Sequence, residues 1–166
     1  LDENRAFNVL FAQTSKERDA LWKLRRRVGE AVKSQSIYKE EDTVVPRSKL
    51  PELLRVVKSV GKEFKFKTVC YGHAGDGNLH VNILKGDMSD EKWNGEHLKT
   101  GIRKIFEAVK SMGGTISGEH GIGLVQKIYL DVVFNQIEIQ VQKSIKSVFD
   151  PLGIMNPGKI FSDKTN

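Results

Sequence analysis

The sequence predicts an α+β fold, an antiparallel sheet with helices packed mainly on one face. Phe66–Tyr71 and Leu79–Leu84 are rich in β-branched and aromatic residues and flank a glycine-laden link, so together they read as a hairpin. Several other stretches keep apolar residues at helical spacing. Strands and helices are mixed without the regular βαβ alternation of a parallel sheet. With 166 residues and 39% hydrophobic content the chain has the size of one core, so residues 1–166 are expected to form a single domain.

Taken in order, Asn8–Ala12 reads as a short strand. Thr14 or Ser15, with Glu17 following, starts a helix expected to reach about Lys33, its apolar face being Ala20, Leu21, Leu24, Val28, Ala31 and Val32. Val44–Pro46 is a short extended stretch. Ser48–Glu52 opens a second helix to about Gly61, proline being tolerated in a first turn where its missing N–H would have no helical partner. After the hairpin, Ser89 caps a third helix that runs through Ile102, Ile105, Phe106 and Val109 to the breaker Gly113-Gly114. Leu124–Leu130 and Ile137–Phe149 are expected to be helical and the tail from Asp150 to be loop.

Composition narrows the function classes. A net charge of +6 allows anionic partners, but the densest basic run, Lys23–Arg27, has no interleaved aromatics and fits no nucleic-acid motif. No nucleic-acid partner is expected. There is no run of about 18 apolar residues that could cross a bilayer. The single cysteine, Cys70, has no intrachain disulfide partner, which fits a reducing cytoplasm, with peripheral attachment at an inner membrane as a compatible variant. The chain opens on leucine, and its first lines read as part of something longer.

The sharpest chemical signal is GHAGDGNLH at 72–80. If Asp76-Gly77 is a two-residue type I′ turn, His73 falls opposite His80 on one sheet face, with Cβ atoms about 4.5–5.5 Å apart. Two imidazoles so placed can converge on one cation. Asp76 is a turn former, and Asn82, two residues beyond His80, shares its face and can reach a substrate or serve as an ordinary sheet polar group. The second signal is GGTISGEHGIG at 113–123. Glycines on both sides of Glu119-His120 permit close approach between backbone and ligand. Adjacent side chains diverge, so Glu119 can complete a metal set with His73 and His80 while His120 faces the open side as proton acceptor. Two other glycine patterns fail inspection. Gly118–Gly123 reverses the dinucleotide-binding spacing, and Gly153–Lys159 imitates a phosphate loop but continues with Ile160 where Ser or Thr is needed.

Together, GHAGDGNLH (72–80), GGTISGEHGIG (113–123) and FDPLGIMNPGKI (149–160), in this order, resemble the C-terminal substrate domain of the FAD-linked oxidases. That family includes D-lactate, D-2-hydroxyglutarate and glycolate dehydrogenases. The resemblance implies a ferredoxin-like fold facing the FAD-binding domain of a parent protein, with FAD held mainly outside this chain. It implies a zinc or similar divalent ion on His73, His80 and Glu119, His120 as catalytic base, Arg25 on the substrate carboxylate, and Asn156 close to the flavin. Electrons would pass on to a downstream acceptor. Hydroxyglutarate-type members carry a threonine and a lysine where gapless matching gives Gly29 and Glu40, with Lys39 one place off. That departure points to a smaller 2-hydroxy acid such as glycolate or lactate. The same His-His-Glu set would also suit a metal-dependent hydrolase or a binding module built around a structural ion.

Overall fold

A computed structural model describes residues 10–161. The chain divides into two compact units, Leu1–Ser36 and Ile37–Asn166. In the first, the Thr14 side chain accepts the N–H of Glu17 while the Glu17 carboxylate accepts that of Thr14, a reciprocal cap that starts helix α1 (Ser15–Arg26). The helix does not run unbroken to Lys33. The Arg27 N–H bonds to the Leu24 carbonyl, tightening the last turn, and a separate α2 (Val28–Lys33) follows. Of the apolar face expected there, only Val32 is buried. Asn8 and Val9 lie outside the described residues, and Leu10–Ala12 form no strand.

The second unit is the α+β body. Strands β1 (Tyr38–Val44), β2 (Lys67–His73) and β3 (Asn78–Leu84) form an antiparallel sheet in the order β1-β3-β2. Helix α3 (Leu50–Glu63) joins β1 to β2, and α4 (Asp90–Asn94) and α5 (Glu96–Ser111) follow β3. This is the path of a ferredoxin-like split βαβ unit. Beside β1, where such a fold would carry a fourth strand, there is one antiparallel bridge between Val44 and Thr115. Two short elements, a 3-10 turn at Lys127–Tyr129 and α6 (Leu130–Val133), replace the helix expected over Leu124–Leu130, and α7 (Gln136–Phe149) completes the set. No helix among the described residues is long and apolar enough to cross a membrane.

One sheet face makes the core. Val81 and Ile83 of β3 pack with Leu53 and Val57 of α3 and with Leu98, Ile102, Ile105 and Phe106 of α5, all essentially without solvent exposure. The α5 residues recur at the three- and four-residue spacing that puts one helix stripe inward. The expected single third helix is broken at Gly95, whose backbone is extended and where a Cβ would collide with the Glu91 carbonyl oxygen. Strand β1 was not expected, because its Lys39-Glu40-Glu41-Asp42 run lacks the apolar alternation of a half-buried strand.

Glu41 points to the core side and is 1% exposed. Burial dominates its ionisation and pushes its carboxyl up to about 7, against the Gln126 amide that donates to it at 3.1 Å and the charge of Lys39. A folded-state value above the unfolded one means that its stabilising contribution is complete below about pH 4.5 and is lost as pH rises through about 7. Glu41→Gln removes that loss. The variant is expected to gain about 2–3 kcal/mol relative to the parent between about pH 5 and about pH 8. Thermal melts at both pH values measure this, and an equal offset at the two would contradict it.

Candidate metal centre

On the sheet face opposite the core helices α3 and α5, alternation aligns Glu40 and Asp42 of β1, Asn78, His80 and Asn82 of β3, and Tyr71 and His73 of β2. The loop joining β2 to β3 is not the two-residue turn expected. Ala74–Asp76 form a 3-10 turn, and Gly77 takes φ 73°, where a Cβ would strike the Val45 carbonyl. His73 therefore pairs with Asn78, and Tyr71 stands opposite His80. The register differs from the expected one by two residues, and an even displacement keeps every side chain on its face. His73 remains a diagonal neighbour of His80, with ring centroids 6.1 Å apart.

Glu119 and His120 reach this face from the loop that follows the Thr115 bridge. His80 Nε2 lies 3.0 Å from Glu119 Oε1. The His120 ring stacks on that of His80 at 4.9 Å between centroids, with its Nε2 3.9 Å from Glu119 Oε1. Ligand atoms of His73, His80 and Glu119 all lie within 4.8 Å of one another. A tetrahedral ion with bonds of about 2.0–2.1 Å holds its ligand atoms about 3.3 Å apart. The donors therefore fit such an ion after a small closing movement, which the exposure of His73 and Glu119 permits. Glu40, His80 and His120 form a second set of the same spacing. Glu40 approaches His80 from its Nδ1 side, at 3.7 Å, whereas Glu119 approaches Nε2, so a single ion engages one set or the other.

His80 is buried, and its Nδ1 has no hydrogen-bond partner among the described residues. The carboxylates of Glu40 and Asp42 stand 3.7 and 3.9 Å from it. A slight shift lets either accept an Nδ1–H, which leaves Nε2 with the lone pair that a cation needs. Asn82, fully buried on the same face, has neither amide atom bonded to a described residue.

The structure thus brings His73, His80, Glu119 and His120 together and puts Asn82 on their sheet face. Arg25 lies on α1, in the other unit, and is exposed. Asn156 takes φ 51°, a conformation asparagine tolerates, and its Oδ1 accepts from Lys159 Nζ at 2.7 Å. Its turn is tied to the segment after His120, because the Ile160 N–H donates to the Gly123 carbonyl and Lys127 Nζ to that of Gly158, each at 2.8 Å. Sequence reasoning missed Asp42, Asn78 and Tyr71, and met Glu40 only as a matched position. Period-two spacing across Tyr38–Val44 would have exposed the β1 pair, had that stretch been read as a strand.

Fold and side chains define an α+β domain whose sheet face opposite the α3–α5 core gathers imidazoles and carboxylates. The chain belongs to the FAD linked oxidases, C-terminal domain, the family whose model matches residues 1–160. It is similar to the D-2-hydroxyglutarate dehydrogenase of Stutzerimonas stutzeri, with 40% identity over 98% of this chain and 35% of that one. The D-lactate dehydrogenase of Anaerostipes hadrus is 36% identical over 95% of this chain and 33% of its own length. The glycolate oxidase subunit GlcD of Bacillus subtilis is 34% identical over the same 95% and 33% shares. The chain spans about a third of the length of these curated relatives.

Gly118 is the tightest point of the loop, since a Cβ there would overlap the Asn78 amide nitrogen and Val44 Cγ2. Gly118→Ala is expected to cost about 1–3 kcal/mol through overpacking. Gly75→Ala, where a Cβ would meet nothing within 4 Å, provides the comparison. Chemical denaturation that ranks the two variants equally would contradict the packing described.

Proposed function

We propose that residues 1–166 serve as the substrate- and metal-binding domain of an FAD-dependent 2-hydroxy-acid dehydrogenase or oxidase acting on a small acid of the glycolate or D-lactate kind. One observation carries the reading: ligand atoms of His73, His80 and Glu119 lie within 4.8 Å of one another with His120 stacked beside His80, in a chain of the FAD-linked oxidase family. The relatives' names, dehydrogenases and an oxidase subunit, favour oxidation over hydrolysis by the same side chains. Glu40, on the sheet face that carries His80, would repel a second substrate carboxylate and so supports a small monocarboxylate.

A zinc or similar divalent cation on His73, His80 and Glu119 would supply Lewis acidity toward a chelated hydroxyl, and a flavin held by a separate FAD-binding domain would supply the hydride acceptor. The chain's own residues do the rest. His120 accepts the hydroxyl proton, a transfer for which an imidazole suits neutral pH. As that O–H bond breaks, the carbon-bound hydrogen leaves with its electron pair and a carbonyl forms, giving the 2-oxo acid. Arg25 would grip the carboxylate with its guanidinium fork. Asn82, whose amide atoms find no partner among the described residues, would hydrogen-bond the substrate. Asn156, in the turn tied to Gly123, would meet the flavin, and a downstream acceptor would reoxidise it.

Elemental analysis of the chain purified without chelators tests the reading. About one equivalent of a divalent metal per chain is expected, with most of it lost in His80→Ala. Equal and negligible metal in both would overturn the ligand assignment. A second expectation concerns the flavin: titration with free FAD should give no tight stoichiometric complex, and sub-micromolar binding would contradict a separate FAD domain.

A further inference from the structure

Asp42 is fully buried and holds together segments that come from three places in the sequence. Its Oδ2 accepts the backbone N–H groups of Gly118, Glu119 and His120 at 2.8, 2.7 and 2.9 Å. Ser117 Oγ donates to the same oxygen at a long 3.5 Å and in turn accepts the Gly121 N–H at 2.7 Å. The other oxygen, Oδ1, accepts the Asn78 amide at 2.6 Å and stands 3.9 Å from His80 Nδ1. One carboxylate thus joins β1, the start of β3 and the loop that bears Glu119 and His120.

We propose that Asp42 is the positioning residue of the metal centre, fixing the backbone of Glu119 and His120 so that both side chains face His80. The inference rests on the function proposed above. Residues 118–120 belong to no helix or strand, so a ladder of backbone bonds does not hold them. Gly118 and Gly121, the latter at φ 76°, leave the segment conformationally permissive. A charge-assisted bond to each of three successive N–H groups removes that freedom. The approach is close enough that at Gly118 a side chain would run into Asn78 and Val44. Both carboxylate oxygens are engaged, Oδ2 by the three N–H groups and Oδ1 by the Asn78 amide, so the side chain is held from two sides.

Asp42 belongs to neither set of candidate ligand atoms and acts through Glu119, His120 and His80. Its substitution should therefore alter how a cation is held as well as how stable the chain is. The test compares Asp42→Asn with Thr43→Val in the full chain. Thr43→Val removes the neighbouring buried bond from Thr43 Oγ1 to the Leu79 carbonyl, 2.7 Å long, and leaves the loop alone. Zn2+ affinity is measured by competition with a chelating dye, and Co2+ is added for its visible absorption, which reports coordination geometry. Asp42→Asn is expected to weaken Zn2+ binding by about 10–100-fold and to shift or flatten the Co2+ bands, as loss of an outer-shell partner does. Thr43→Val is expected to melt earlier with unchanged affinity and spectrum.

Unchanged Zn2+ affinity and Co2+ bands in Asp42→Asn overturn the proposal while leaving the metal site standing. Failure of the unsubstituted chain to take up either ion overturns both. If Asp42→Asn does not fold, Asn78→Ala carries the test, because it frees Oδ1 and keeps the charge. A several-fold loss of Zn2+ affinity in that variant supports the positioning role, and none refutes it.

Discussion

Strict alternation of side chains across three antiparallel strands governs both the packing and the chemistry of the α+β body. The central strand β3 is buried along its whole length, yet its two faces have opposite characters. Leu79, Val81 and Ile83 enter the helix-covered core, while Asn78, His80 and Asn82 look the other way. The same pairing that excludes water from the aliphatic side chains lines up the imidazole and the amides with acids from β1. Packing on the α3 and α5 side therefore holds the polar face in register without a scaffold of its own.

Three consecutive acids on β1 show how environment sets the character of one chemical group. Glu40 accepts the Tyr71 hydroxyl at 3.4 Å and approaches His80. Glu41, one residue on, enters the core beside Gln126, where its carboxyl is pushed up to about 7. Asp42 returns to the first face and is held below the ordinary carboxylate range by the N–H groups gathered around it, which outweigh its burial. Composition alone cannot distinguish these cases, because what differs is the dielectric and the donors that each side chain meets.

Much of the fold was readable where periodicity and caps agree. The hairpin strands, the helix over Gln136–Phe149 and the capped start at Ser89 are of this kind. Strand β1 was hidden because its alternation is carried by acids, whose burial depends on distant partners such as Gln126 and the 118–120 backbone. The hairpin loop was misjudged because Asp-Gly suits a two-residue turn locally, whereas the close approach of Gly77 to Val45 is a tertiary matter. His73 and His80 share a face in either register, because face depends only on parity. Asp42 left no local trace, since its significance lies in main-chain groups 76 to 78 residues further along the chain.

The acids around His80 also bear on the sequence of events at the proposed site. Glu40, Asp42 and Glu119 surround one imidazole. They concentrate negative potential at a single spot on a chain whose net charge is +6. A hydroxy acid is itself an anion, and under the proposed function these carboxylates alone would oppose its approach. A divalent cation reverses the local sign. Under the proposed chemistry a cation held there would thus serve attraction as well as activation, offsetting acids that would otherwise oppose an anionic substrate.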